Sequence, residues 1–337
     1  MNIFIDIYWI KVKVFTKNTS LATIVRKYYS IFLVDTLSNI DVDIDLERNG
    51  YFSWFDTYYL DEDFVTFWDY IKINKGLNKY FFENQEIFCL CEFGKTTKVK
   101  WILTPGKIRH FINIALQGFT RIDKYYNRFL IKTCIHDIIF ILLEKKLQSC
   151  LLHATAVTNG ENTYVFTWLW GSGKSTLASA FSKLKWYKIL SDNYALVSNN
   201  RLYAFPELPR ITKDTQKLLQ IKLTKKADGI KHYLENDLSE YKKEYKIDKV
   251  FICSYGNDFK IKKIDKKDYL FEVLSSINHY TKEFPEYLNF SLASIINKFN
   301  TNNQRIESLK KVIENNDFYL LQNNSNLEDN LNKIIHV

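Results

Sequence analysis

Residues 167–176 read TWLWGSGKST, and the fold of the second half of the chain turns on how these ten residues are understood. The pattern Gly-x-x-x-x-Gly-Lys-[Ser/Thr] ends at Gly173-Lys174-Ser175, so its opening glycine belongs at position 168, where the chain has Trp168. A phosphate-binding loop works because successive backbone N–H groups and a helix N-terminus converge on one anion. Gly171, Ser172 and Gly173 supply the loop backbone, the glycines permitting close approach and unusual φ values. Lys174 brings a point charge to the β- and γ-phosphates, Ser175 a hydroxyl suited to Mg2+, and Thr176 a secondary contact. The chain has only 10 glycines in 337 residues, so two of them within three positions carry weight.

The motif needs a strand before it and a helix after it, and both flanks comply. LLHATAV (151–157) and TYVFTWL (163–169) are β-like runs separated by TNGEN, in which Asn159-Gly160 is a strong hairpin signal. Pairing around that turn sets residues whose numbers sum to about 320 opposite each other, placing His153 near Thr167. KSTLASAFSKLK (174–185) follows with good helix formers and with Leu177, Ala178, Phe181 and Leu184 on one face. A tryptophan at 168 calls for a negative φ or a reshaped turn. Trp168 and Trp170 are expected to pack beneath the loop, the alternative being one of them against a nucleotide base.

WYKILSDNYALV (186–197) is a strand broken at Ser191-Asp192-Asn193. Asp192 lies 18 residues after Lys174, about one helix and a returning strand, which brings it beside the loop. A carboxylate there can hold Mg2+ or accept a proton from an attacking hydroxyl, although Ser-Asp-Asn is also good turn chemistry. His153 is either a hydrogen-bonded structural residue or a group that binds a phosphate oxygen or orients the carboxylate. Arg210, after FPELP, is a candidate phosphate or acceptor contact. The short interval to Asp192 and the absence of an LSGGQ run disfavour transporter- and helicase-type ATPases.

The rest of the chain sets boundaries. A formal charge of +9 favours anionic partners, though scattered solvated lysines give the same total. No zinc-finger or RNP-type motif occurs, so nucleic acid is disfavoured as a partner. Five scattered cysteines fit reduced, buried thiols, with Cys89 and Cys91 pointing the same way from a strand. The start lacks the features of a signal peptide. RFLIKTCIHDIIFILLEKK (128–146) is too interrupted to span a bilayer, which together indicate a cytoplasmic protein without a membrane partner.

Residues 1–105 are expected to form a small α+β domain. It has β-like runs at 3–16, 40–46, 85–93 and 97–103, and helical or mixed stretches at 23–34 and 61–73, the latter capped by Asp61 or Asp63. Residues 106–149 form a helical connector, and 150–337 the glycine-loop domain. The last is expected to hold a lysine-rich helical stretch (213–245), a strand at 249–254, helices around 266–280 and 290–315, and a strand at 317–322.

The run LLHATAV, TWLWGSGKSTLASAF, WYKILSDNYALV and LYAFPELPRI resembles the HPr kinase/phosphorylase-related kinases, most closely the HPr-kinase-like proteins of peptide natural-product gene clusters. The resemblance is good over about 150–212, loose beyond, and general in the N-terminal half. His153 matches the family's histidine on the strand before the loop, Gly171 to Thr176 its phosphate loop, and Ser191-Asp192-Asn193 its acidic motif. It implies an α/β fold with a mixed sheet, akin to PEP carboxykinase, with a smaller N-terminal domain. It also implies transfer of the ATP γ-phosphate, with Mg2+, to a serine hydroxyl of a peptide or small protein. Trp168 departs from the pattern, as does Asn193, which stands where a second aspartate is common and leaves one carboxylate for metal and base roles. No segment marks recognition of HPr itself. The alternative is a non-catalytic nucleotide-binding partner in a biosynthetic complex, and homo-oligomer formation is left open.

Overall fold

Alternation of apolar and charged residues in IKVKVF buries Ile10, Val12 and Val14 on one face of the strand Ile10–Phe15, the first sign of how the N-terminal part is organised. The computed structural model describes residues 1–46, 64–68, 71–74, 76, 79–84, 87–103, 131–169, 171–184, 186–205, 210–221, 225–226, 231–233, 244–265, 270, 274, 301–324 and 326–337. It is a mixed α/β structure with several sheets. The chain divides into two units, Met1–Leu143 with Leu288–Asn300, and Glu144–Tyr287 with Thr301–Val337.

The first unit carries a nine-stranded mixed sheet. Its spatial order is Leu33–Val34, Asn2–Ile7, Ile10–Phe15, Val42–Asp45, Thr97–Leu103, Ile87–Glu92, Lys79–Asn84, Ile71–Asn74 and Phe64–Trp68. Val42–Asp45 runs parallel to both its neighbours. Helix Thr19–Tyr28 begins at Asn18, whose Oδ1 accepts the Leu21 N–H at 3.0 Å, and buries Leu21, Ala22 and Val25. The stretch 61–73, expected to be helical or mixed, contains the antiparallel strands Phe64–Trp68 and Ile71–Asn74 instead. Its Phe, Val, Thr, Trp and Ile residues are strand formers, and that preference wins; Asp61 and Asp63 lie outside the described residues. Cys89 and Cys91 are both buried, and none of the five cysteines is in a disulfide. Of the connector, residues 131–149 are described: a π turn, Ile131–His136, leads into helix Asp137–Leu147. No helix among the described residues is long and apolar enough to cross a membrane.

The second unit is built on a six-stranded mixed sheet. Its order is Lys188–Ser191, Ala154–Thr158, Thr163–Thr167, Lys249–Tyr255, Asp317–Asn323 and Lys260–Lys263. Thr163–Thr167, Lys249–Tyr255 and Asp317–Asn323 are mutually parallel, so all three end at the same edge. On one face Phe166, Phe251 and Tyr319 form a continuous stack, with ring centroids 5.3 and 5.4 Å apart. Helix Lys174–Lys183 covers that face with buried Leu177, Ala178 and Phe181. The opposite face, with Val165, Val250 and Phe318, packs against Leu309, Val312 and Ile313 of helix Thr301–Asn315. The same core takes in a four-stranded sheet of Cys150–Leu152, Ala195–Ser198, Arg201–Tyr203 and Glu244–Lys246.

Helix Thr301–Asn315 is anchored by Arg305, which donates from Nε (2.9 Å) and Nη2 (2.6 Å) to the two oxygens of buried Glu144. The strands expected at 249–254 and 317–322 are present as Lys249–Tyr255 and Asp317–Asn323. The lysine-rich stretch 213–245 is not one helix. Helix Lys213–Leu219 stops at Gln220 in the left-handed region (φ 51°), and the described residues beyond it form the strands Lys225–Lys226, Lys231–Tyr233 and Glu244–Lys246. A run of lysines without a sustained apolar stripe gives a longer helix nothing to bury.

Phe251 lies between two rings and is fully buried, so Phe251→Ala is expected to destabilise the protein by about 3–5 kcal/mol. A shift of the urea unfolding midpoint checks this; an unchanged midpoint would rule out the stack as a main support of the sheet.

Candidate functional site

The hairpin that feeds the glycine loop closes through a four-residue turn between Thr158 and Thr163. Asn159 Oδ1 accepts the N–H groups of Glu161 (3.0 Å) and Asn162 (2.7 Å), and Thr158 Oγ1 accepts that of Gly160 (3.0 Å). Gly160 takes the positive φ of the turn (94°); Asn159 does not share it. The register is one residue away from expectation, with Ala154, not His153, opposite Thr167. His153 stays beside Thr167 all the same, its carbonyl accepting the Thr167 hydroxyl at 3.1 Å.

After Thr167 the chain leaves the sheet, and among the described residues of the loop three have positive φ: Trp168 (140°), Gly171 (77°) and Gly173 (88°). Of the two alternatives expected at Trp168, the negative φ is therefore not what the structure has. The tryptophan adopts a conformation that suits glycine, at a cost of about 1–3 kcal/mol. Two contacts offset the strain: the half-buried side chain packs against the core that includes Val165 and Val250, and the carbonyl accepts a hydrogen bond from Lys174. Trp170 lies outside the described residues. A Cβ added at Gly171 or Gly173 would meet nothing within 4 Å, so it is backbone conformation, not space, that demands glycine at both positions.

Lys174 opens the helix and is buried. Its Nζ donates to the carbonyls of Trp168 (2.8 Å) and Leu169 (2.9 Å) and to Ser172 Oγ (3.4 Å). Next to it, Ser175 Oγ donates to Asp192 Oδ1 at 2.8 Å. The same carboxylate oxygen receives the Thr155 hydroxyl at 2.9 Å. Thr155 was not singled out from the sequence; the available signal is its place two residues after His153, on alternate positions of one run. Asp192 is buried, and Asn193 follows with φ 78°, so the Ser-Asp-Asn triplet is both a turn and the carrier of the carboxylate.

His153 is buried, with its pKa lowered to about 3. Burial is the main cause and the Lys174 charge the next, while a side-chain hydrogen bond with Asn193 opposes them. The imidazole is therefore neutral at pH 7. Cys253, on the strand beside the loop strand, has its thiol pushed up to about 12 by burial, against the opposing effect of Lys174, and is unreactive as a nucleophile.

Thr176 Oγ1 hydrogen-bonds with Thr215 Oγ1 at 3.0 Å, tying the loop helix to helix Lys213–Leu219, whose N-cap is Thr212. Arg210 begins the strand Arg210–Thr212 that leads into this helix; its side chain lies outside the described residues. The structure thus brings together Gly171, Ser172, Gly173, Lys174, Ser175, Asp192 and His153, and connects Thr176 to the segment after Arg210.

The donor set suits a hard cation that shares its shell with phosphate oxygens and water. It offers one hydroxyl and one carboxylate, and no cluster of three His, Cys, Asp or Glu occurs among the described residues. The loop itself combines a helix N-terminus, two glycines in the left-handed region and an ammonium group, the elements of an anion cradle. No protein-family model matches the chain, and no curated protein matches it.

Because folded His153 titrates near 3 and an unfolded histidine near 6.5, the unfolded state alone gains this proton between those values. Stability is full above pH 6.5 and falls as pH decreases through the window, by about 1 kcal/mol per unit from this residue. Urea unfolding at pH 7 and pH 5 should show a smaller loss for His153→Asn than for wild type. Equal losses would contradict a buried neutral imidazole.

Proposed function

We propose that Gly171 to Thr176 hold the phosphates of a nucleotide, and that the protein transfers the γ-phosphate of ATP to a hydroxyl, serine foremost, of a peptide or small protein. The observation that carries this reading is the 2.8 Å contact between Ser175 and Asp192, which joins the hydroxyl after the loop lysine to a carboxylate 17 residues away in sequence. A phosphate loop with no acidic partner binds; one with a carboxylate at this place can also manage the metal and the acceptor proton. The fold in this reading is the P-loop kinase core that the resemblance implies.

The loop amides and the Lys174 ammonium orient the triphosphate and compensate its charge. Ser175 and Asp192 would hold Mg2+, which would supply neutralisation of the phosphoryl charge. In this reading Asp192 is the carboxylate that accepts the proton of the acceptor hydroxyl. His153 is neutral, so it acts as a hydrogen-bonding group rather than as a second positive charge. Arg210 remains a proposed phosphate or acceptor contact. Phosphoryl transfer through a loose transition state asks mainly for positioning and charge stabilisation, and these residues supply both. The acceptor class rests on the resemblance over residues 150–212, and the net charge of +9 favours acidic peptides.

One observation favours a second reading, a non-catalytic nucleotide-binding partner. Asn193 provides no second carboxylate, and its side chain bonds His153 instead. Purified protein incubated with Mg·ATP and serine-containing peptides should add one phosphate mass to an acceptor. Asp192→Asn is expected to lower the rate at least about 100-fold, and Lys174→Ala to abolish it. Thermal stabilisation by Mg·ATP with no transfer and no hydrolysis would support the binding partner and exclude the kinase.

A further inference from the structure

The strands Ala154–Thr158 and Lys188–Ser191 do not pair in simple register. Thr158 faces Lys188 and Val157 faces Ile189, but Ala156 faces Ser191. One extra residue is accommodated on the second strand, a bulge. Without it, Thr155 would stand opposite Ser191; with it, continuing the register by one residue sets Thr155 opposite Asp192. The bulge is therefore what delivers the carboxylate to the threonine, and the 2.9 Å hydrogen bond is the result.

Thr155 is completely buried, on an inner strand paired on both sides. Its side chain lies on the face of Val157, where the surroundings are Tyr164, Phe166, Leu177 and Ile189. Packing alone would be served by valine there, and the hydroxyl donates to Asp192. Ser175 donates to the same oxygen from the first turn of the helix. Two donors from two separately anchored elements fix both the rotation of the carboxylate and its distance from the Ser175 hydroxyl.

We infer that Thr155 is a positioning residue that holds Asp192 against Ser175 for a divalent cation bound with the nucleotide phosphates. The inference rests on the nucleotide-site reading above. Groups that orient a metal ligand in this way typically change metal affinity about 10- to 100-fold when removed. The bare nucleotide, held by loop amides and Lys174, should be indifferent to Thr155.

The test uses the full chain, ADP as the probe and Mg2+ as the titrant, read by nucleotide-induced thermal shift and by calorimetry. Thr155→Val is expected to raise the Mg2+ concentration for half-saturation about tenfold, leaving ADP affinity in EDTA within about twofold of wild type. Thr155→Ser should return the Mg2+ requirement close to wild type. On an Asp192→Ala background, Thr155→Val should add no further change. A folded Thr155→Val protein with the wild-type Mg2+ requirement overturns the inference. So does a full additional effect on the Asp192→Ala background, which also decides the matter should Thr155→Val alone fold poorly. Wild-type protein that binds ADP neither with nor without Mg2+ instead overturns the nucleotide-site reading, and this inference with it.

Discussion

A buried ammonium group must be surrounded by oxygen atoms, and Lys174 finds them in the loop that precedes it. This constraint shapes the site more than any other. The carbonyls of Trp168 and Leu169 reach Nζ in a chain that leaves the strand at Thr167 with a positive φ at Trp168. The glycines at 171 and 173 carry further positive-φ steps, and the helix starts at Lys174. The strain at one tryptophan is thus the counterpart of a well-solvated internal cation.

The carboxylate side of the site depends on a different device. Helix Lys174–Lys183 and strand Lys188–Ser191 bring the chain back beside the loop, yet length alone does not set which residue faces Ser175. The bulge between the strands does so, moving Asp192 into the place that Ser191 would otherwise occupy. The aromatic stack of Phe166, Phe251 and Tyr319 holds the three parallel strands together under the loop. Packing, register and charge act on the same few ångströms.

Much of this was legible in the residues. The hairpin at Asn159-Gly160, the loop, the helix after it and the return to Asp192 follow from glycine placement, period-2 and period-3.6 patterns, and spacing. What was not legible has physical reasons. Register within a hairpin depends on the number of turn residues, and the Asx turn at Asn159 made the turn four residues long. Bulges leave no compositional mark, so Thr155 passed as one more strand residue. The positive φ of Trp168 was not legible because φ preferences are local, whereas this side chain packs on the core and its carbonyl accepts from Lys174. The stretches 61–73 and 213–245 mix helix and strand formers, and tertiary pairing decided between them.

In the proposed function, phosphate binds the backbone of residues 171–176. Hydrogen exchange of individual amides, with and without Mg·ADP, tests it directly, with adenosine as the control that lacks phosphate. Slowed exchange is expected at Gly171 to Thr176 with Mg·ADP, and no slowing with adenosine. Unchanged exchange across this loop, or equal protection by adenosine, would contradict it.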